Sequence, residues 1–154
     1  MAPKNPGIAL SEADALRIPG GADLAVLLRA IDRFLPRRAI LYLEGVVDRR
    51  LKAFLRAHAA ANAMNVKRGT IWPRRETFHL EIEGGNLEEL ARLAEVLPVP
   101  QVCDHLIVYR DGKVLLAAHD LAASEEIWLS RELPSESMSN LVNALMPKPE
   151  KGAD

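Results

Sequence analysis

Between Asp23 and Pro36 the apolar residues Leu24, Leu27, Leu28, Ile31 and Leu35 recur with helical spacing, while Arg29, Asp32 and Arg33 take the opposite side. Asp23 stands where an N-cap belongs, and Pro36 ends the run. The period then changes. Residues 39–43, AILYL, are apolar on both faces and predict a strand buried from two sides. After it, Asp48 caps a second helix with Val47, Leu51, Phe54, Leu55 and His58 along one stripe and Arg49, Lys52 and Arg56 along another. Strict alternation follows over residues 77–82, with Phe78, Leu80 and Ile82 on one face and Thr77, His79 and Glu81 on the other. Residues 70–72 predict a partner strand just before it. Asn86 with Glu89 reads as a capping box for a third helix carrying Leu87, Leu90, Ala91, Ala94 and Leu97, which Pro98 and Pro100 stop. Ser11 and Asp14 predict a short helical turn near the start of the chain.

The stretch CDHLIVYRDGKVLLAAHD, residues 103–120, reads as two strands about a two-residue turn at Asp111-Gly112. A strand over residues 127–131 and a helix from about Ser135, with Met138, Leu141, Val142 and Leu145 as its apolar stripe, complete the pattern. From 39 to 110 the order is βαββαβ, that of a ferredoxin-like plait, extended by the hairpin strand and the strand after it. The expected fold is α+β, an α/β sandwich with a mostly antiparallel sheet. Both sides of each hairpin strand are apolar at mid-length, which predicts helices on both faces. Residues 11–146 form the expected domain, and residues 1–10 and 147–154, rich in Pro, Lys and Gly, the expected flexible tails.

Charge changes this picture in one respect. The net charge is −1, yet residues 29–75 hold twelve Arg and Lys against Asp32, Glu44 and Asp48, while residues 76–154 hold six against fifteen acids. Such halves either neutralise each other within one fold, dock two copies, or offer a phosphate surface. A single cysteine, Cys103, excludes an internal disulfide, and no apolar run approaches a membrane span. A cytoplasmic protein with no membrane contact is expected.

Two constellations carry candidate chemistry. With Asp111-Gly112 as the turn, Asp104 pairs with His119 on one face, and His105 is a diagonal neighbour of Asp120 on the other. In the plait these ends come to the edge where Glu44 lies. Glu44, Asp104, His105, His119 and Asp120 then form a rim whose imidazole and carboxylate groups suit a divalent metal or an acid/base pair. The segment Lys67, Arg68, Trp72, Arg74 and Arg75 combines cations with an aromatic ring, as phosphate or nucleic-acid contacts require. Neither has the spacing of a specific motif. The leading expectation is a non-catalytic binding or regulatory module that self-associates or meets a protein partner. The alternatives are a metal-assisted hydrolase using the rim and nucleic-acid binding through residues 67–75.

Overall fold

A computed structural model of the chain describes residues 7–18, 23–70, 72, 74–121 and 126–146. Six strands, β1 (Ala15–Ile18), β2 (Ile40–Glu44), β3 (Thr77–Glu81), β4 (His105–Arg110), β5 (Lys113–Ala118) and β6 (Ile127–Ser130), form one sheet. Their order is β1-β6-β5-β4-β2-β3, and every neighbouring pair is antiparallel. With the helices α1 (Leu24–Phe34), α2 (Arg49–Ala57), α3 (Asn86–Glu95), α4 (Val99–Val102) and α5 (Ser135–Leu145), this is an α+β fold. None of these helices is long and apolar enough to cross a membrane.

Local chemistry sets most element boundaries. The Asp23 side chain accepts from the Ala25 amide at 2.9 Å and that of Asp48 from the Leu51 amide at 2.9 Å, so both predicted caps are made. Asn86 does not cap α3. It is the first helical residue, and its side chain donates to the Glu81 carbonyl at 3.0 Å, fastening the helix start to the end of β3. The stretch after Ser11 makes only three residues of 3-10 helix before β1, which pairs with β6 through Ile18 and Ala15. Four residues are too few for a periodicity signal, and β1 had none in the sequence.

The sheet departs from expectation on its far edge and on one face. The order β4-β2-β3 is that of three plait strands, but the fourth, expected at residues 70–72, is absent among the described residues: Thr70 and Trp72 lie outside any strand, and Ile71 is not among the described residues. Among the described residues the position beyond β3 is held by an isolated bridge from Ala59 to Leu80, and the ferredoxin-like order is not completed there.

Helices do not cover both faces either. The buried side chains of α1, α2, α3, α4 and α5 all join one core with Leu41, Leu43, Leu80, Leu106, Val108, Leu116 and Leu129. The other face, carrying Ile40, Tyr42, Ile107, Tyr109, Val114 and Ala117, is covered by irregular chain: Ile8 and Leu10 of the N-terminal arm, with Ala60 and Val66. We refer to residues 59–70 as the strap. It starts at β3, where the Ala60 amide donates to the His79 carbonyl at 2.8 Å. It then crosses Tyr109, whose hydroxyl accepts from the Met64 amide at 2.9 Å. Ile8 bridges Val66, with hydrogen bonds from the Ile8 amide to the Asn65 carbonyl and from the Lys67 amide to the Ile8 carbonyl, both 2.9 Å. The end of the expected N-terminal tail is therefore bound to the strap; the expected C-terminal tail, 147–154, lies outside the described residues.

Candidate functional site

Glu44 explains where the strap goes. It ends β2 on the face away from the helices, fully buried, on the same side as Tyr42 two residues earlier. Removing a carboxylate from water costs several kcal/mol unless its lone pairs are met. Here they are. Oε1 accepts from the Tyr42 hydroxyl at 2.6 Å and the Gly69 amide at 3.1 Å. Oε2 accepts from the Thr70 amide at 2.7 Å and faces His105 Nε2 at 3.5 Å. The strap supplies two of these donors, which is why residues 69–70 lie over the sheet and not along its edge. Burial and the neighbouring carboxylate both push the Tyr42 hydroxyl well above the ordinary tyrosine range, so it stays a donor. A Cβ on Gly69 would stand 2.5 Å from the His105 ring, so only glycine lets the strap come this close.

His105, 2 % exposed, links the carboxylate to a second histidine. Its Nε2 meets Thr70 Oγ1 at 2.7 Å, and its Nδ1 meets both the Asp120 amide and His119 Nδ1 at 3.2 Å. The two imidazole centroids are 5.1 Å apart. This pairing overturns the expected one, in which Asp104 faced His119. The hairpin register changes between Val108 and Tyr109: Tyr109 pairs with Val114 but Val108 with Leu116, leaving Leu115 as an extra residue. Beyond that bulge each β5 side chain takes the face opposite to the one a regular ladder would give it, and His119 comes round to His105.

The predicted rim is therefore split. Glu44, His105, His119 and Asp120 gather under the strap, whereas Asp104 turns to the other side, its carboxylate 3.6 Å from Arg75 Nη1 and packed over Gly45, whose φ of 86° and contact with Asp104 exclude a side chain. Among the described residues no three His, Cys, Asp or Glu side chains converge to hold a metal ion. Three hydrogen bonds already engage the oxygens of Glu44, with His105 Nε2 beside them at 3.5 Å.

His119 is half buried, and burial, reinforced by His105 and Lys67 against the opposing pull of Asp120 and Glu44, pushes its imidazolium below the ordinary histidine range. It stands at the wall of a cavity of about 320 Å³ bounded also by Ala9, Leu10, Lys67, Arg68, Ile107 and Asp120. Two members of the predicted cationic segment, Lys67 and Arg68, thus belong to the same place as the histidines. The other three do not. Arg75 is paired with Asp104, Arg74 is exposed, and Trp72 is 85 % exposed. Arg68 itself reaches back, with Nη1 donating to the Arg75 carbonyl at 2.7 Å. Thr70, Gly69 and Tyr42 were not predicted; the one sequence signal was Tyr42 and Glu44 sharing a strand face. Cys103, fully buried, has its thiol pushed far up by burial and is a packing residue.

Other basic residues are neutralised at home. Arg29 of α1 pairs with Glu88 and Glu95 of α3, and Lys52 and Arg56 of α2 pair with Glu76. Comparison of the chain with protein-family models, curated proteins and solved structures gives no match.

Proposed function

We propose that the protein is a non-catalytic binding or regulatory module whose ligand enters the cavity between the strap and the His119 end of β5. One observation carries this reading: a fully buried carboxylate, Glu44, is held through His105 to a histidine that forms the cavity wall. A chain of polar groups from a core to an open recess is costly to keep. Its evident product is a fixed imidazole in a space of ligand size. The free, buried Cys103 accords with a reducing compartment such as the cytoplasm. Exposed Trp72 and Val96 are apolar anchors on offer to a second copy or a protein partner.

The test is a fragment screen on the full chain, read by imidazole and amide NMR. Fragments that bind should move His119 and Lys67 and leave Met64 and Asp111, at the opposite end of the same face, unmoved. Binders that never touch His119 would overturn the proposal.

Nucleic-acid binding through residues 67–75 is the second reading, favoured by Trp72 standing in solvent beside exposed Arg74. A salt-dependent gel shift lost in Trp72→Ala and Arg74→Ala would support it; no shift at low salt would remove it.

A further inference from the structure

The hydrogen bonds beneath the cavity fix where the histidine protons sit. A backbone amide can only donate, so His105 Nδ1, 3.2 Å from the Asp120 amide, accepts. Asp120 is one of three described non-glycine residues with a positive φ, 51°, and it is this turn that aims its amide at the ring. His119 Nδ1 meets the same acceptor at 3.2 Å and so must bring a proton to it. His105 then carries its own proton on Nε2, directed to Thr70 Oγ1 and Glu44. Neutral His119 is left with a lone pair on Nε2, an atom that meets no partner among the described residues. The chain of donors ends there.

A ligand for this cavity must satisfy three neighbours at once. Lys67 and what remains of the Arg68 guanidinium call for anionic oxygens; His119 Nε2 calls for a proton. Asp120 on the rim and Glu44 behind the histidines both oppose a dianion. A carboxylate or a sulfate has no proton to give at neutral pH. A phosphate monoester does, because its second ionisation falls near pH 6 and its monoanion keeps one O–H.

We propose that the cavity takes a small phosphate monoester, with Lys67 and Arg68 on its anionic oxygens and one proton held between its remaining oxygen and Nε2 of His119. This rests on the reading of the cavity as the ligand site. The ester's organic group lies toward Ala9, Leu10 and Ile107, the apolar part of the lining. No covalent step is involved; the ester leaves as it arrived.

The experiment titrates the full chain with inorganic phosphate, phenyl phosphate, a phosphoserine peptide and sulfate, following the ¹⁵N signals of His119. Phosphate and phenyl phosphate should bind and move Nε2 toward its protonated position, with sulfate at least tenfold weaker. Lys67→Gln, on an exposed side chain, should weaken phosphate, phenyl phosphate and sulfate tenfold or more. His119→Gln should erase the discrimination between phosphate and sulfate while the chain stays folded. If phosphate binds without moving His119, the inference falls and the fragments decide the cavity reading; if sulfate binds and moves His119 as well as phosphate does, the inference falls and the cavity reading stands. If neutral fragments move His119 but no phosphate does, the result is the same. If neither fragments nor phosphates reach His119, both fall. Binding of the peptide alone would replace the small ester with a phosphoprotein partner and overturn the proposal as stated.

Discussion

His105 and His119 meet through their Nδ1 atoms because Leu115 is the one residue of the hairpin strands without a partner. A regular ladder would place His119 on the helix side of the sheet, with Asp104. Deleting Leu115 removes the bulge but leaves every other pair as it is, Val114 with Tyr109 and Leu116 with Val108, so Leu116, Ala117 and Ala118 keep their faces and His119 stays beside His105. Truncating the half-buried side chain, Leu115→Ala, removes only packing. The expected result is a loss of about 1–2 kcal/mol for the truncation, with histidine NMR signals unchanged. The deletion should keep both cooperative unfolding and the His105–His119 contact. A deletion variant that folds but loses the contact would mean that Leu115 is not the residue the ladder skips.

Glu44 holds the strap by accepting from Gly69 and Thr70. In Glu44→Gln the charge is lost, and the amide nitrogen is turned toward a donor it cannot satisfy. A hydrogen bond to a charged group contributes about 1.5–3 kcal/mol, and an unmet buried donor adds to the loss. Urea denaturation should therefore show a drop of about 2–4 kcal/mol, and hydrogen exchange at the Gly69 and Thr70 amides should accelerate well before that of β2. Unchanged protection at both amides would mean that Glu44 does not anchor the strap.

Gly69→Ala tests the same closure from the strap's side. The added Cβ meets the His105 ring, itself held by Thr70, His119 and Asp120, so neither partner yields easily. A cost of about 1–3 kcal/mol is expected, measured as a lower denaturation midpoint. The same shift of Thr70 exchange as in Glu44→Gln should accompany it. A neutral substitution would show that the strap does not lie against the ring.

These variants also mark how far the sequence was legible. The stripes of α1, α2, α3 and α5 and the alternation in β3 were readable because each faces a single core, which imposes one period. Glu44, His105, His119 and Asp120 were placed together correctly for a partly mistaken reason. The hairpin turn is visible as Asp111-Gly112, but nothing in VLLAA says which of its residues is skipped, and that one residue decides whether Asp104 or His105 meets His119. The strap was invisible for another cause. Irregular chain has no period, and Gly69 and Thr70 are positioned by hydrogen bonds to a carboxylate distant in sequence. A rule that apolar faces need helices failed on Ile40, Tyr42, Ile107 and Tyr109, since coil with satisfied amides covers a sheet as well.

Trp72 offers a simple optical check. It is largely in solvent, whereas Trp128 is half-buried on β6, so native fluorescence should be a mixture of a red-shifted and a blue-shifted component. Trp72→Phe should remove the red-shifted part and change stability by less than about 0.5 kcal/mol, as for an exposed position away from any core. A stability loss beyond that would mean that Trp72 is packed.

The pH dependence of stability should come first from histidines. Burial is the chief cause holding both His79, bonded through Nδ1 to the Tyr109 hydroxyl at 2.8 Å, and His119 below their unfolded value of 6.5. Between that value and the lower folded ones, the unfolded chain binds more protons than the native one, so stability rises with pH there and is lost as pH falls. Glu76 and Glu88 are shifted down by Arg56 and Arg29 respectively. Their contribution is present above their ordinary value of 4.5 and is lost only below it. Two separate steps follow, a histidine step beginning below pH 6.5 and a carboxylate step below 4.5. Denaturation midpoints taken through this range should fall in the first window, and His119→Gln should shrink that step to the part due to His79 while leaving the second in place. A midpoint constant across the first window would mean that neither histidine is buried as described.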